Sequence, residues 1–476
     1  VIPLKDKSYM NIKSVSKIGL CLVSALALNV FAQETNWSGK ELNISFSNKR
    51  IDGFDFSKSR AVKNMTDFRR ATGEGPDFSE ANLTGVSFQN AVISGASFKE
   101  ATLKEATISG ADIRGSSFKY ANLEGANLYR ATLLDCEFPK ANFMNARLDA
   151  MKVSDKADFS KANFTMASIM DVDLTAADLS KANLTNANFS RSLMANSDLS
   201  KATMIKTDFT ACNLIAANFK GVKFNDVNFS KAGLSQANFS GTEFNNVNLQ
   251  DADLSLTNFN DIDLSKAQLQ RVKFAQSTVK NMTFSKQDIN GIIFDKGSVS
   301  KSFFDDSKMS KASFYDATVE KNSFKNAELL KAVFDGAYVR KNIFDKADLT
   351  KANFANSTIE RTDFILAQLG GVSFAGAKLV KVNFTNANMQ GIKIDSDTRM
   401  EEVDFSGANL DGAKIERFSA KKVIYDNKTV FPSGFEPRQY GFTKRGEKAA
   451  DIKVEGKGDS PKKKKKAKKA DDEGEE

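Results

Sequence analysis

The feature that most constrains this chain is a bulky apolar residue at every fifth position between Phe78 and about Ile415. A five-residue period matches neither the 3.6-residue turn of an α-helix nor the two-residue alternation of a strand, so either element would scatter these side chains over all its faces. Extended pieces of about three residues, each ended by a corner, keep them on one side. The period therefore predicts a coil of short strands with the bulky residues inside.

A second period sets the number of sides of that coil. The sequence 158–162 recurs as 178–182 and again as 198–202, so equivalent residues return every twenty positions. Four five-residue units then make one turn, and successive turns pair through backbone hydrogen bonds. A small residue two positions before each bulky one points inward with it, and the polar residue between them points outward. We therefore predict an all-β, four-sided parallel β-helix of about seventeen coils over residues 78–415.

Phenylalanines alternate with smaller aliphatic residues every ten positions in the second half of the repeat. In a four-sided coil this spacing places stacked phenylalanine columns on two opposite faces, and the mixture of sizes fills the interior. The predicted core ladder comprises Phe274, Phe284, Phe294, Phe304, Phe314 and Phe324.

The repeated triplet Ala-(Asn/Asp)-(Leu/Phe) resembles the motif of the pentapeptide-repeat family. Examples are Ala81-Asn82-Leu83, Ala121-Asn122-Leu123, Ala182-Asn183-Leu184 and Ala217-Asn218-Phe219. The resemblance covers most of the chain and implies a right-handed quadrilateral β-helix. Some members mimic DNA and protect or inhibit DNA gyrase, and members often pair through their C-terminal ends. The resemblance thus implies a topoisomerase-binding DNA mimic and a homodimer through a rod end as candidates, while the motif residues themselves are structural.

The first segment, residues 1–32, is typical of a secretory signal peptide. Starting from Met10, two lysines precede an apolar run over 18–31 that ends in Val30-Phe31-Ala32. The run is shorter than the ~20 residues that span a bilayer, which favours cleavage over a membrane anchor. We predict export to the periplasm or the cell exterior, with cleavage after Ala32.

The segments on either side of the regular repeat differ from it. Residues 33–77 have a ragged five-residue spacing and are interpreted as irregular first coils with an N-terminal cap, because the end of a coil exposes unpaired strand edges. Residues 416–446 concentrate aromatic and turn-forming residues, which indicates a C-terminal cap. Residues 447–476, with a lysine run at 462–469 and an acidic end, are too polar to fold and are predicted to be a disordered tail.

The composition argues against an enzyme. The chain has no histidine, which removes the commonest general base and metal ligand, and its interior is filled by its own side chains. Neither a cofactor nor a metal site is expected. Cys136 and Cys212 both lie at the small inward position, nearly four coils apart, and are interpreted as buried substitutes for alanine rather than a disulfide.

Charged columns are the remaining candidates for function. Asp158, Asp178 and Asp198 share a column near Lys161, Lys181 and Lys201, and we interpret them as an ion ladder rather than a cation or acid/base site. A possible anion-binding stripe comprises Lys301, Lys321, Lys341, Arg361 and Lys381, and a second stripe comprises Lys311, Lys331 and Lys351. The competing interpretation is a solvated corner, with Glu320, Glu360, Asp305 and Asp345 diluting the field.

These patterns favour an exported, non-enzymatic structural or interaction scaffold in the bacterial envelope. Its partner is a protein or an anionic envelope polymer. The formal net charge of +9 comes largely from the two ends, and the outward positions are expected to lack aromatic residues, so nucleic acid is not expected as a partner. The alternatives are the DNA mimic and an anion-binding adhesin that uses the lysine stripes.

Overall fold

The computed structural model describes residues 34–447, and the signal-peptide and tail predictions therefore lie outside the described residues. The described chain is a right-handed parallel β-helix with four sides and about 20 turns. Residues twenty apart pair across adjacent coils, as in Asp158 with Asp178 and Asp178 with Asp198. At ~4.8 Å per coil, the rod is roughly 95 Å long. The predicted fold class is confirmed.

We name the four sides of the coil A, B, C and D, and we identify each side by its inward residue in one coil of each half of the rod. Face A contains Phe98 and Val299, and face B contains Leu103 and Phe304. Face C contains Ile108 and Met309, and face D contains Ile113 and Phe314. All eight side chains are buried, so the five-residue period does select the interior.

Most coil-to-coil pairing consists of isolated parallel bridges, and longer ladders form on one face at a time. The two-stranded sheets are β1 (Glu41–Leu42) with β2 (Arg60–Ala61), β3 (Thr72–Glu74) with β4 (Val92–Ser94), β5 (Thr132–Leu133) with β6 (Lys152–Val153), and β17 (Lys393–Ile394) with β19 (Lys414–Ile415). A three-stranded sheet on face B contains β7 (Met204–Ile205), β8 (Lys223–Asn225) and β9 (Glu243–Asn245). A nine-stranded sheet on face A contains β10 (Asn258–Asn260), β11 (Thr278–Lys280), β12 (Ser298–Ser300), β13 (Thr318–Glu320), β14 (Tyr338–Arg340), β15 (Thr358–Glu360), β16 (Lys378–Val380), β18 (Arg399–Glu401) and β20 (Ser419–Lys421).

The predicted phenylalanine ladder forms two stacked columns. Phe274 stacks on Phe294 in face D, with ring centroids 5.5 Å apart and an interplanar angle of 10°. Phe284 stacks on Phe304 in face B at 4.9 Å. The Phe294–Phe314 and Phe304–Phe324 pairs continue these columns at 5.1 Å and 4.7 Å. Faces B and D are opposite each other, as the ten-residue spacing requires.

Nearly every corner places one residue in the left-handed backbone region. Lys161, Lys181 and Lys201 have φ values of 59°, 60° and 57°. This conformation is uncommon for residues other than glycine. Here the backbone N–H of Lys181 donates to Ser200 O of the next coil at 2.9 Å, and Ala182 N–H donates back to Leu179 O at 3.1 Å. These two hydrogen bonds offset the local strain, and the turn points the Lys181 side chain outward.

Some corners lack the backbone turn bond and use a polar side chain from the neighbouring coil instead. Ser302 N–H donates to Asn322 Oδ1 at 2.9 Å, and Asn322 Nδ2 donates to Val299 O at 3.0 Å. One coil further, Asn342 Oδ1 accepts a hydrogen bond from Asn322 N–H, and Asn342 Nδ2 donates to Val319 O. These asparagines are buried at the position that alanine usually occupies, so they satisfy backbone groups that would otherwise be unpaired.

The interpretation of the two cysteines as buried substitutes for alanine is confirmed, and their thiols add hydrogen bonds to the neighbouring coil. Both thiols are buried and free, and each donates to a carbonyl oxygen of the preceding coil at 2.9 Å: Cys136 to Ile113 O, and Cys212 to Phe189 O. Burial raises the pKa of each thiol to about 12, so both stay protonated donors at neutral pH.

The seventeen coils predicted for residues 78–415 account for most of the about 20 turns, and stacking also includes residues before 78. Asn36 already pairs with Asp55, and Asp55 pairs with Asp77 across 22 residues. The extra residues sit at a corner, where they leave the inward register unchanged. A one-residue insertion after Val153 is absorbed likewise, since Glu137 pairs with Asp158 before the spacing returns to twenty.

The last coils are covered by an aromatic cluster. Strand β21 (Val423–Tyr425) pairs with β22 (Phe442–Lys444). A 3₁₀ helix (Pro437–Tyr440) lies between Phe435 and β22 in the chain. Phe442 lies over Phe405 with ring centroids 5.9 Å apart and covers the end of the face B column. Phe431 and Phe435 flank Phe442 and remain half-buried. The cluster shields the strand edges at this end.

Candidate binding surface

The residues of the predicted anion-binding stripe all occupy the corner between faces A and B. Lys301, Lys321, Lys341, Arg361 and Lys381 have φ values between 51° and 59° and are exposed. The structure therefore brings the five cations into one column, one per coil, beside the nine-stranded sheet.

Carboxylates contact three of these five cations directly. The ion pairs are Lys321–Glu320 at 3.0 Å, Arg361–Glu360 at 3.4 Å and Lys381–Glu402 at 3.5 Å. Arg340 lies between the two strand glutamates, 3.4 Å from Glu320 and 3.7 Å from Glu360. The contact with Lys321 lowers the pKa of Glu320 below its ordinary value. The stripe is thus an alternating network of charges rather than a uniform row of cations.

The second predicted stripe occupies the diagonally opposite corner. Lys311, Lys331 and Lys351 lie between faces C and D with φ values of 60°, 59° and 60°. Within residues 34–447 none of the three forms an ion pair, and Leu330 beside them is 37% exposed. Glu328 and Asp348 lie on the adjoining face C. The row spans only three coils.

The predicted ion ladder of Asp158, Asp178 and Asp198 with lysines is wrong. The three carboxylates accept the backbone N–H groups of Ser160, Ser180 and Ser200 at 2.8, 2.8 and 2.9 Å. Such Asx turns are the usual role of aspartate two residues before a corner. In the described part of the chain, Lys161, Lys181 and Lys201 make no ion pair.

These lysines belong to a longer column, which we call the lysine ridge and which the sequence analysis missed. Lys140, Lys161, Lys181 and Lys201 occupy the left-handed position of the A/B corner in four successive coils. Lys119 and Lys220 occupy the preceding position in the flanking coils, and all six lysines are exposed. The signal available in the sequence was the Asp-x-Ser spacing, which is typical of an Asx turn and leaves the lysine unpaired.

The expectation that outward positions lack aromatic residues is also wrong. Phe303, Tyr120, Tyr315 and Tyr338 are 52%, 42%, 40% and 36% exposed. Tyr120 accepts a hydrogen bond from Lys140 Nζ at 3.0 Å at the start of the lysine ridge. Tyr338 lies on face A beside Arg340. These aromatic residues are scattered, so no successive coils within residues 34–447 form a stacking platform.

Two shallow hollows interrupt the described surface. One, of about 310 Å³, is lined by Ser47, Asn48, Arg69, Arg70, Gln89 and Asn90. The other, of about 170 Å³, lies where the coil loses regular pairing and is lined by residues that include Phe239, Asn258 and Ile262. Among residues 34–447 no group of acidic residues and cysteines is placed to hold a metal ion, and no helix is long and apolar enough to span a membrane.

Comparison with known proteins agrees with this geometry. The family profile "Pentapeptide repeats (8 copies)" matches residues 81–119, 114–149, 173–210, 332–370 and 367–391. The profile "Pentapeptide repeat region" matches residues 202–279. No curated protein sequence matches the chain significantly.

Several solved structures resemble parts of the chain. HetL, a pentapeptide repeat protein involved in heterocyst differentiation regulation in the cyanobacterium Nostoc sp. strain PCC 7120, is 24% identical over 48% of this chain and 96% of its own, with a TM-score of 0.25. QnrB1, a plasmid-mediated fluoroquinolone resistance protein, is 21% identical over 42% of this chain and 91% of its own, with a TM-score of 0.24. Rfr23 from the cyanobacterium Cyanothece 51142 is 18% identical over 34% of this chain and 93% of its own, with a TM-score of 0.14.

The repeat profiles, the twenty-residue coil and the Ala-Asn-Leu triplets at its inward positions agree along the rod. The chain is a member of the pentapeptide-repeat family.

Proposed function

We propose that this protein is an exported, non-enzymatic scaffold that presents a long rigid surface to a macromolecular partner in the bacterial envelope. The observation that carries the proposal is the stacking of coils along residues 36–444, with an interior filled by Phe, Leu and Ala side chains. A rod that uses its interior for packing offers its outer faces and corners for binding. Pentapeptide-repeat proteins in general are structural or binding scaffolds.

Export is supported by the sequence of residues 10–32. Lysines at its start, an apolar centre and Ala32 before Gln33 have the order of a secretory signal peptide. A DNA mimic that binds a topoisomerase would instead remain in the cytoplasm. It would also present a predominantly negative surface, and the lysine ridge and the stripe at 301–381 oppose that pattern. A homodimer through a rod end stays a prediction.

The first test is the N-terminal residue and the cell fraction of the mature protein in its own host. We expect a chain that begins at Gln33 outside the cytoplasm. Leu26→Arg should block export because it places a charge in the apolar run, whereas Leu26→Ile should leave export unchanged. A cytoplasmic protein that retains residues 10–32 would overturn the envelope role and make the topoisomerase assay the next experiment.

A further inference from the structure

The lysine ridge presents ammonium groups that no carboxylate of the described chain neutralises by contact. Its members, Lys119, Lys140, Lys161, Lys181, Lys201 and Lys220, form no ion pair within residues 34–447. The nearest acidic column on face A is Glu137, Asp158, Asp178 and Asp198, and its three aspartates are held by backbone N–H groups. On the other flank, face B presents the uncharged Asn142, Asn163 and Asn183.

The stripe at 301–381 occupies the same corner of the rod further along and serves as an internal comparison. Both stretches carry a similar net positive charge once the adjoining carboxylates are counted. They differ in pairing, because Glu320, Glu360 and Glu402 contact the cations of the stripe. An anionic ligand has to displace these glutamates from the stripe, whereas on the ridge it meets ammonium groups that contact no carboxylate of the described chain.

The pKa values of two tyrosines shift in opposite directions, in agreement with this difference in ion pairing. The hydrogen bond and charge of Lys140, with further contributions from Lys119 and Lys161, lower the pKa of the exposed Tyr120. Partial burial, together with the hydrogen bond to Glu360, raises the pKa of Tyr338 beside the stripe. The environment of Tyr120 therefore favours a negative charge, and that of Tyr338 disfavours it.

We propose that the lysine ridge binds a linear polysaccharide that carries one carboxylate per sugar. Successive coils place one lysine every ~4.8 Å along the corner, a spacing comparable to the length of one sugar ring. One strand of B-DNA advances only ~3.4 Å per phosphate, so its charges would lose register with the lysines within a few coils. Binding of single-stranded nucleic acid relies on successive aromatic residues, and the ridge has only Tyr120, at one end.

The side chains beside the lysines suit a sugar chain. Ser160, Ser180 and Ser200 precede three of the lysines and place hydroxyl groups at the same corner. The asparagine column on face B is half-buried, and each amide nitrogen of Asn142, Asn163 and Asn183 donates one hydrogen within the column, which leaves its second N–H for a sugar hydroxyl. This assignment rests on the proposed role as a binding scaffold and does not depend on export.

The test compares two quadruple variants of the full chain. Lys140→Asn, Lys161→Asn, Lys181→Asn and Lys201→Asn together neutralise the ridge. The matched control carries Lys301→Asn, Lys321→Asn, Lys341→Asn and Lys381→Asn. Asparagine suits the left-handed position and already occupies it in the same column at Asn281, where φ is 57°. Both variants lose four positive charges and retain the lysine run at 462–469.

Binding is measured with polygalacturonate oligomers of defined length over a salt series. The fully methyl-esterified oligomer is the neutral control, and a single-stranded oligonucleotide of equal charge is the competing ligand. We expect the ridge variant to bind polygalacturonate roughly tenfold more weakly and the control variant less than threefold more weakly. Affinity of the natural chain should fall with salt, since the contacts are exposed charges.

Equal loss in both variants would overturn the assignment, because net charge alone would then account for binding. Undetectable binding of polygalacturonate, or tighter binding of the oligonucleotide, would overturn it as well. Amide hydrogen exchange of both variants verifies that the coils remain folded. None of these failures bears on the scaffold role, which the cell fraction and N-terminal residue test separately.

Discussion

The corner between faces A and B is built differently in the two halves of the rod. In the first half, alanine occupies the small inward position and its N–H closes the turn, as Ala141 N–H does with Phe138 O at 3.0 Å. In the second half, Ser302, Asn322, Asn342 and Thr362 occupy that position, and the side chains of the last three each accept the N–H of the equivalent residue one coil earlier. The same five-residue repeat therefore supports two ways of satisfying the backbone.

The phenylalanine columns differ between the halves as well. Before residue 140 they lie on faces A and C, where Phe78 stacks on Phe98 at 4.9 Å and Phe68 stacks on Phe88 at 4.9 Å. After residue 270 they lie on faces B and D, so the pair of columns has moved by one side. Face A then contains mainly β-branched residues, from Val279 to Ile359, and forms the nine-stranded sheet.

This difference shows that strand formation on a face depends both on its inward residue and on the way its corner is closed. β-Branched side chains favour extended backbone, which agrees with the long sheet on face A. The correlation is not strict, since β8 and β9 are centred on Phe224 and Phe244. A stacked coil thus sets which positions point inward, and the neighbouring coils determine which face forms a continuous sheet.

The largest effect is expected from exchanging the two residue types within one coil. Val319→Phe combined with Phe324→Val conserves the composition of the coil but removes the stacks of Phe324 with Phe304 at 4.7 Å and with Phe344 at 4.6 Å. We expect a local loss of at least about 3 kcal/mol, because a cavity forms on face B while face A is overpacked. Amide hydrogen exchange in this coil, with a coil near Phe118 as reference, measures the loss.

If amide protection in this coil is unchanged after the two residues are swapped, the continuity of a phenylalanine column does not determine the face on which it lies. The single change Phe324→Ala is the control, since it creates the cavity without overpacking. Global unfolding is a poor readout here, because long repeat arrays need not unfold in one step.

A smaller effect is expected from removing one side-chain closure of the corner. Asn342→Ala removes the acceptor of Asn322 N–H, at 2.9 Å in the natural chain, and the side-chain donor to Val319 O, at 2.7 Å. An unsatisfied buried polar group costs roughly 1–3 kcal/mol, so we expect about 2–3 kcal/mol in the free energy of local opening. Exchange of the Asn322 amide is the direct measurement.

The matched variant is Ala182→Asn in the first half, where the backbone already closes the turn at 3.1 Å. Asparagine should destabilise that corner, because it adds volume and polar atoms with no unpaired backbone group to satisfy. Stabilisation by Ala182→Asn, or a neutral Asn342→Ala, would contradict the distinction between the two kinds of corner.

The smallest effect is a difference in tyrosine titration between the lysine ridge and the stripe. Lys140 lowers the pKa of Tyr120, whereas partial burial and Glu360 raise that of Tyr338. As the pH rises, Tyr120 should therefore lose its proton first. NMR of ring-labelled tyrosine, assigned with Tyr120→Phe and Tyr338→Phe, follows both groups.

Lys140→Asn should raise the pKa of Tyr120 towards its ordinary value, because it removes the hydrogen bond from Nζ at 3.0 Å. Lys341→Asn is the control in the other half and should leave Tyr120 unchanged. Ionisation of Tyr338 before Tyr120 would contradict the difference in electrostatic environment between the two stretches.

Much of the fold follows from periodicity. The inward positions at Phe159, Phe164 and Leu184, the twenty-residue coil and the stacked columns from Phe274 onward are all evident from the repeat. The predicted seventeen coils cover residues 78–415, and the irregular coils before residue 78 add to them because they keep the inward register despite breaking the five-residue count. Insertions at corners are invisible to a strict period, since they change spacing without changing which side chains face inward.

The candidate surface was less predictable. Periodicity placed Lys161 in register with Lys181 and Lys301 in register with Lys321, but it did not show which lysines are paired. The aspartates beside Lys161 and Lys181 bind the backbone, whereas Glu320 and Glu360 contact cations. That distinction depends on where a carboxylate points, which a five-residue repeat does not specify.

The sequence by itself determined that this chain is a four-sided coil, because the five-residue period sets the length of each side and the twenty-residue repeat closes a turn after four sides. The tertiary structure alone decided how each corner is closed and which cations remain unpaired. Both depend on contacts such as Asn322 with Val299, or Arg340 with Glu320, between residues about twenty positions apart in adjacent coils. Stacking brings these residues together, and side-chain hydrogen bonding then selects one partner among several within reach.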